Sequence, residues 1–419
     1  MRRPAIDSSA LVVLAALVAG AFPATSCSDD PAASPTTQIS PSDDDAATIQ
    51  AALINAESGD TICLMPGTYA INRELSLANH VDVTVKGCGA TRDDVVLDFA
   101  GQTGGEGDDA FTVTANGFTI RDLTLKNAPG NGIVIQADDA LVHNVKVFWD
   151  AGSVSANGYY AIYPTSAHRI IIEDSEVVGA SDAGIYVGSS EYAIVRRNKV
   201  HGNVAGIEIE NTLHADVYDN EVTDNSAGIL GLLLPNLNIK ALGSVLIRNN
   251  HVHANNRPNF AHEGTTVSYV PVGTGMMTLC GKDIEFRDNV IENNDSTGIL
   301  IVSYKIFEIL TDKPLTDMAM DPFVQRVFVT GNTFSGNGQK PAGALLITGQ
   351  TTLENVLWDG ILNPAGDDAG ICLGPNPPSF RMIAAGDGFK AASQSTDTST
   401  HTCTRAALPE LETFAAAQP

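Results

Sequence analysis

The chain has 419 residues, 43% of them hydrophobic, with 49 acidic against 24 basic side chains and a formal charge of −25. That is ample material for a core, while so acidic a surface repels other polyanions and excludes DNA, RNA and anionic membrane surfaces as partners. It also disfavours a polyuronate ligand unless a cation bridges the two.

Met1-Arg2-Arg3 followed by the apolar run from Ala10 to Phe22 has the form of an export signal, with an apolar stretch too short to span a membrane stably. Ala24-Thr25-Ser26-Cys27 then resembles a bacterial lipobox. That resemblance implies lipidation of Cys27 and a place on the outer surface or periplasmic face of the cell envelope, touching membrane only through the anchor; a monomer is expected. With residues 1–27 as signal and lipobox, residues 28–45, rich in Ser, Pro and Asp, are expected to form a flexible linker.

Asp45 precedes a run in which Ile49, Ala52, Leu53 and Ala56 share one face, which predicts a helix with an acidic N-cap that covers the open end of a solenoid. Strand-like runs follow from Thr61, then Val81 to Val85, Val95 to Phe99, and Phe111 to Leu125. From there an internal repeat takes over. A small residue or Gly followed by an aliphatic one recurs at Gly132, Ala161, Gly184, Gly206, Gly228, Gly275, Gly298 and Gly343, in steps of 29, 23, 22, 22, 47, 23 and 45.

A unit of about 22 residues, built of short β-branched runs separated by Gly, Asn and Asp, holds three strands and their bends. The reading is an all-β parallel β-helix over residues 46–350, with an irregular segment over 351–419. Two Asn columns run beside the repeat: Asn198, Asn220, Asn250, Asn289 and Asn332, and five residues later Asn203, Asn225, Asn255, Asn294 and Asn337. Inward-facing amides stacked at a bend predict Asn ladders. The long steps carry insertions at 235–243, 257–273 and 303–325, the last with the spacing of a short packed helix.

If Cys27 is lipidated, five cysteines remain. Cys372 with Cys403 would close the C-terminal segment, and Cys63 with Cys88, 25 residues apart, would sit on adjacent coils. No CxxC or Cys/His spacing suggests a zinc site, so no structural metal is expected.

The segments SDAGIYVGSS, NVAGIEIENTLHADVYDN, PNF and GTGMM resemble bacterial parallel β-helix repeat proteins of the right-handed, pectin-lyase-like superfamily, over roughly 45–349. The resemblance implies a right-handed solenoid on which lyases, hydrolases, epimerases and proteins without known catalysis all occur.

A β-helix carries its chemistry on the outward side chains of one sheet. One outward column reads Val134, Tyr163, Tyr186, Glu208, Leu230, Met277, Leu300, Leu345; the other reads Gln136, Thr165, Gly188, Glu210, Leu232, Leu279, Val302, Ile347. Both turn from polar to apolar at the same coil, so the insertions are expected to fold over the apolar half. Tyr163, Tyr186, Glu208 and Glu210 would then stay exposed at the rim. The tyrosines offer an aromatic platform for sugars.

The two carboxylates, roughly 6–7 Å apart at the backbone, suit either calcium chelation or divided acid and base roles. No cofactor is required; calcium is the one ion the pair invites. Lys240, Arg257, His262, Glu263 and Lys305 come from the insertions. Of these, His262 is the best candidate base, with Lys240 and Arg257 as substrate contacts. Asp182, Asp216 and Asp219 read as turn residues.

Tyr160-Ala161-Ile162-Tyr163-Pro164-Thr165 is similar in place to the Tyr-Gly-Phe-Asp-Pro-His segment of mannuronan C5-epimerases of this fold, whose Asp and His take part in proton chemistry at C5. Here Tyr163 and Thr165 stand at those positions, and only Tyr160 and Pro164 match. The expected function is binding or processing of a polysaccharide or other glycan by a lyase-, epimerase- or hydrolase-like scaffold; the alternative is a non-catalytic surface module.

Overall fold

The computed structural model describes residues 36–104, 108–312, 314–364 and 370–411, all within the unit Pro35–Pro419. The signal, the lipobox and Cys27 lie outside the described residues.

Each coil contributes one strand to each of three parallel sheets, two of eleven strands and one of ten. The sheet that carries the outward columns runs from Leu75–Leu77 through Ile162–Pro164, Ala183–Gly188, Ala205–Glu210, Ala227–Leu232, Thr274–Leu279 and Thr297–Val302 to Phe380–Met382. In-register stacking places Ile185 on Ile207, Ile229, Met276, Ile299 and Val356, every one fully buried. Alternation along each strand sends the intervening residues outward.

Both Asn ladders are present. Asn198 Nδ2 donates to Asn220 Oδ1 at 3.0 Å, and the chain of amides continues through Asn250 and Asn289 to Asn332. The second runs from Asn203 to Asn337 in the same way. The residue before each first-ladder Asn, namely Arg197, Asp219, Asn249, Asp288 and Gly331, is in the left-handed region with φ of 52–68°. That backbone turns the chain so that the next amide points inward, and it explains why Asn, Asp and Gly crowd these bends.

Helix α1, Asp45–Asn55, buries Ala46, Ile49 and Leu53. Its cap is Asp44, which accepts from the Ala47 amide, whereas the expected cap, Asp45, is buried and accepts from the Ser42 and Ala70 amides. Gln50 pairs both of its amide atoms with the backbone of Ser76 at 2.9 Å, closing the free edge of the first coil.

Three boundaries differ from expectation. Thr36–Ile39 pairs with Thr61–Leu64, so the fold starts inside the stretch read as linker. At the other end Val356–Trp358 and Phe380–Met382 extend the sheet past residue 350. Gly343–Thr348 is a 3₁₀ turn, not a strand: Gly343 and Gly349 are left-handed at its two ends, and the strand that pairs with Thr297–Val302 begins at Val356. Leu345 and Ile347 therefore do not belong to the outward columns.

Helix α2, Tyr304–Thr311, lies in the last insertion as expected. Buried Asp359 accepts from Ser303 N and Oγ at 2.7 Å and anchors its start, and the Cys280 thiol accepts from the Tyr304 amide. Cys63–Cys88 and Cys372–Cys403 are disulfides, the two pairs the spacing suggested, and Cys280 is free and buried.

Residues 404–411 are irregular, as expected, and run as a strap along another sheet. The Leu408 amide donates to Glu285, Glu410 pairs with Arg287 at 2.7 Å, and the Leu411 amide donates to Asp216. Asp216 is a buried strand residue, not a turn residue. Arg248 binds it at 3.1 Å and lies 3.9 Å over the ring of Tyr218.

Candidate functional site

The apolar half of the sheet is covered: Leu230, Leu232, Met277, Leu279, Leu300 and Val302 are all buried. The polar half differs from expectation. Tyr186, Glu208 and Glu210 retain only 6%, 3% and 6% of their surface, so they are not an exposed rim but a buried cluster. Tyr159, Tyr160 and Tyr163 are half-buried and form its outer wall.

The wall is a continuous aromatic patch. Tyr160 stands 4.7 Å from Tyr163 and 4.5 Å from Tyr186, ring centre to ring centre, and Tyr163 meets Tyr186 edge-on at 4.9 Å. His262, from the insertion at 257–273, lies 4.9 Å from Tyr159, ring centre to ring centre, with the two planes tilted by 43°. These separations are those of favourable aromatic pairs.

Behind the wall Tyr186 Oη donates to Glu210 Oε1 at 2.6 Å. Its ring reaches there by lying along the sheet over Gly188, the residue that pairs with Glu210 across the ladder. A Cβ on Gly188 would meet that ring at 2.2 Å, so the position requires glycine for room, not for an unusual φ.

A third carboxyl, Asp182, joins the pair. Its amide donates to the Tyr159 carbonyl, which fixes it beside the tyrosines, and it is not the turn residue expected. Burial raises its pKa to about 8, helped by the charge of Glu210. Burial, then the charges of Asp182 and Glu210, push Glu208 well up. Glu210 is also raised by burial, but the Tyr186 hydroxyl and a hydrogen bond with Glu208 pull against that. No cation among the described residues stands beside these three carboxyls, so burial and mutual repulsion favour their protonated forms.

Oδ1 of Asp182 and Oε2 of Glu208 are buried with no hydrogen-bond partner among the described residues. They are two of several unpartnered buried atoms among the described residues, and here they lie side by side as acceptors open to a donor from water or a ligand. The phenols respond to the same field. Tyr160 and Tyr186 are raised well above the ordinary range, first by burial and then by the neighbouring carboxyls, and therefore stay protonated as donors. Burial also raises Tyr163.

Lys240 and Arg257 are not brought to this cluster. Lys240 bonds Asp317 at 2.6 Å, tying two insertions together, and Arg257 is held by the side chain and carbonyl of Asp224 at a bend. Lys305 pairs with Glu308 on α2. A His143, Glu173 and Asp174 group on another sheet has carboxylates clustered as metal ligands would be, yet Arg196 and Arg197 already occupy them.

Sequence reasoning missed Asp182 and the space-making role of Gly188. A signal for the first was present: its column across the coils reads Asp182, Val204, Ser226, Gly273, Ser296, with one acid in it.

Residues 131–311 match the family model for a right handed beta helix region. The fold is a right-handed parallel β-helix. No curated protein matches the chain in sequence. Among solved structures the chain is similar to the A-module of a mannuronan C-5 epimerase from Azotobacter vinelandii, at 17% identity and a TM-score of 0.51 over 75% of this chain and 87% of that one. It is also similar to an exopolygalacturonase from Thermotoga maritima, at 14% identity and a TM-score of 0.49 over 67% and 74%. At 17% identity the likeness to the epimerase module speaks for the fold alone, and the site has to be argued from its own residues.

Proposed function

We propose that this protein is an exported glycan-processing β-helix whose site is the Asp182, Glu208, Glu210 and Tyr186 cluster behind the tyrosine wall, acting as a glycoside hydrolase on a neutral saccharide. The observation that carries the reading is three buried carboxyls on adjacent coils with no cation to neutralise them. A uronate would bring a further carboxylate to a buried group of acids with no cation among the described residues to receive it, so lyase or epimerase chemistry on a polyuronate fits poorly, whereas a neutral sugar brings hydroxyls for the unpartnered oxygens. The similar solved structures, an epimerase and a polygalacturonase, act on carbohydrate by their names and are consistent with a glycan ligand.

In this reading Glu208, the carboxyl most strongly driven to keep its proton, donates it to the departing glycosidic oxygen. Glu210, which Tyr186 and Glu208 help to ionise, takes a proton from the attacking water. Asp182 stands beside Glu208 as the third buried carboxyl, and the tyrosine wall stacks the sugar ring. Carboxyls that hold protons give calcium little charge to bind, so no calcium requirement is expected.

The two disulfides fit an oxidising compartment outside the cytoplasm, and we place the protein there, anchored through Cys27. Palmitate labelling that survives in a Cys27→Ala variant would refute the anchor.

The test of the function is a panel of neutral and uronate glycans, with and without calcium, read for new reducing ends and for unsaturated uronate absorbance. Reducing ends released from a neutral glycan and lost in Glu208→Gln and Glu210→Gln support the reading; unsaturated ends overturn it in favour of a lyase. Binding without turnover selects the other reading, a non-catalytic module, which the half-buried aromatic patch of Tyr159, Tyr160 and Tyr163 would also serve.

A further inference from the structure

One coil beyond the carboxyls the same sheet changes chemistry. Glu210 pairs with Leu232, whose row continues through Leu279 to Val302, and Glu208 pairs with Leu230, whose row continues through Met277. Over Leu232, Met277, Leu279 and Val302 the insertions do not close completely. They leave a cavity of about 70 Å³, roofed in part by Phe307 and Leu310 of α2.

None of the described residues lining the cavity carries a charge. A water needs roughly 10–15 Å³ and two to four polar partners, so this space has room for several waters and almost nothing to bond them. An apolar group fits the lining better. The mouth is apolar as well: Tyr269, Leu310 and Ile347 line the cavity and are 43%, 41% and 49% exposed. Adjacent coils are ~4.8 Å apart, so the cavity floor begins one spacing from Glu210 and runs for roughly 10 Å along the solenoid axis.

We infer that the ligand of this protein is amphipathic: a saccharide whose sugar meets the carboxyl cluster and whose short alkyl or acyl substituent lies in the cavity over Leu232, Leu279 and Val302. The inference rests on the reading of the cluster as a glycan site, and it adds the class of substituent. The register places Leu232, on the cavity floor, one coil from Glu210, and that adjacency is what joins the two regions in this inference.

The test is calorimetric binding of methyl, ethyl, butyl and hexyl β-glucosides, β-galactosides and β-mannosides to the full chain, with the matching alcohols as controls. Affinity is expected to rise roughly threefold to fourfold per methylene for at least one sugar series, and the hexyl glycoside should bind at least tenfold more tightly than hexanol. Leu310→Asp and Ile347→Asp, both at the exposed mouth, should flatten the series at unchanged melting temperature. Affinity independent of chain length for every sugar overturns the inference, as does hexanol binding as tightly as the hexyl glycosides, which would make the cavity an apolar site unconnected with sugar. Binding is read, not turnover, and the chain-length slope should persist in Glu208→Gln, so a failed hydrolase reading and a failed cavity are told apart.

Discussion

Tyr186 reaches Glu210 at 2.6 Å only because residue 188, which lies beneath its ring, has no side chain. Gly188→Ala should therefore displace the phenol and free Glu210 from its donor. Overpacking of this kind costs about 1–3 kcal/mol. Turnover on any substrate found should fall by at least tenfold and the pH at which Glu210 ionises should move up. Tyr186→Phe, which removes the donor and leaves the ring, should reproduce the pH shift with less loss of stability. Identical pH profiles in wild type and both variants would contradict this role for the contact.

The carboxyl cluster makes stability depend on pH in an unusual direction. Asp182 has an ordinary value of 3.8 and a folded value of about 8, so between those limits the folded chain holds a proton that the unfolded chain has released. Stability accordingly falls as pH rises through that window and is greatest near its acid end. Glu173, Asp174 and Glu176 are held below the ordinary range, so what they contribute is lost only at more acid pH. Thermal melts should show a higher midpoint at pH 5 than at pH 8.5, with the difference reduced in Asp182→Asn. A midpoint that rises with pH in wild type would refute the assignment.

Asn220 sits inside a ladder. Its Oδ1 accepts from both the amide and the side chain of Asn198, and its Nδ2 donates to Val195 O and Asn250. Asn220→Ala leaves those groups unpaired in a dry interior and should cost about 1–3 kcal/mol. Denaturant unfolding measures it, and an unchanged midpoint would deny the ladder a structural role.

Asp359 secures α2 through the Ser303 backbone and hydroxyl. Asp359→Ala should loosen the helix and make the segment around Tyr304–Thr311 more sensitive to protease while the coils before it stay protected. Cleavage no faster than in wild type would show that other contacts hold α2. Burial raises Asp359 to about 6 against an ordinary 3.8, so its contribution favours pH below that window and weakens as pH rises through it.

The solenoid was legible because its period is written three times over: in the aliphatic signature, in the Asn columns and in the left-handed bends. Each copy constrains the register of the others. Gly343-Ala344 shows the limit, since the same dipeptide served a 3₁₀ turn once an insertion broke the register, and no local pattern distinguishes the two uses. Glu208, Glu210, Tyr163 and Tyr186 were legible as outward positions of one sheet. Their burial was not, because it depends on where Tyr159, Tyr160 and the insertion carrying His262 come to rest. Lys240 and Arg257 failed for the same reason: a cation on a loop takes the nearest carboxylate, and sequence does not say which one that is.

The strap at the C-terminus has a consequence for biosynthesis. Coils can stack in the order they are made, each on the last, but Asp216 receives the Leu411 amide, which is 195 residues downstream. Glu285 and Arg287 likewise wait 123 residues for Leu408 and Glu410. A nascent chain therefore carries an unfinished charged seam along its middle coils until residues 408–411 have been made. A chain stopped before Leu408 keeps that seam open, so the strap joins coils that were stacked long before it was made.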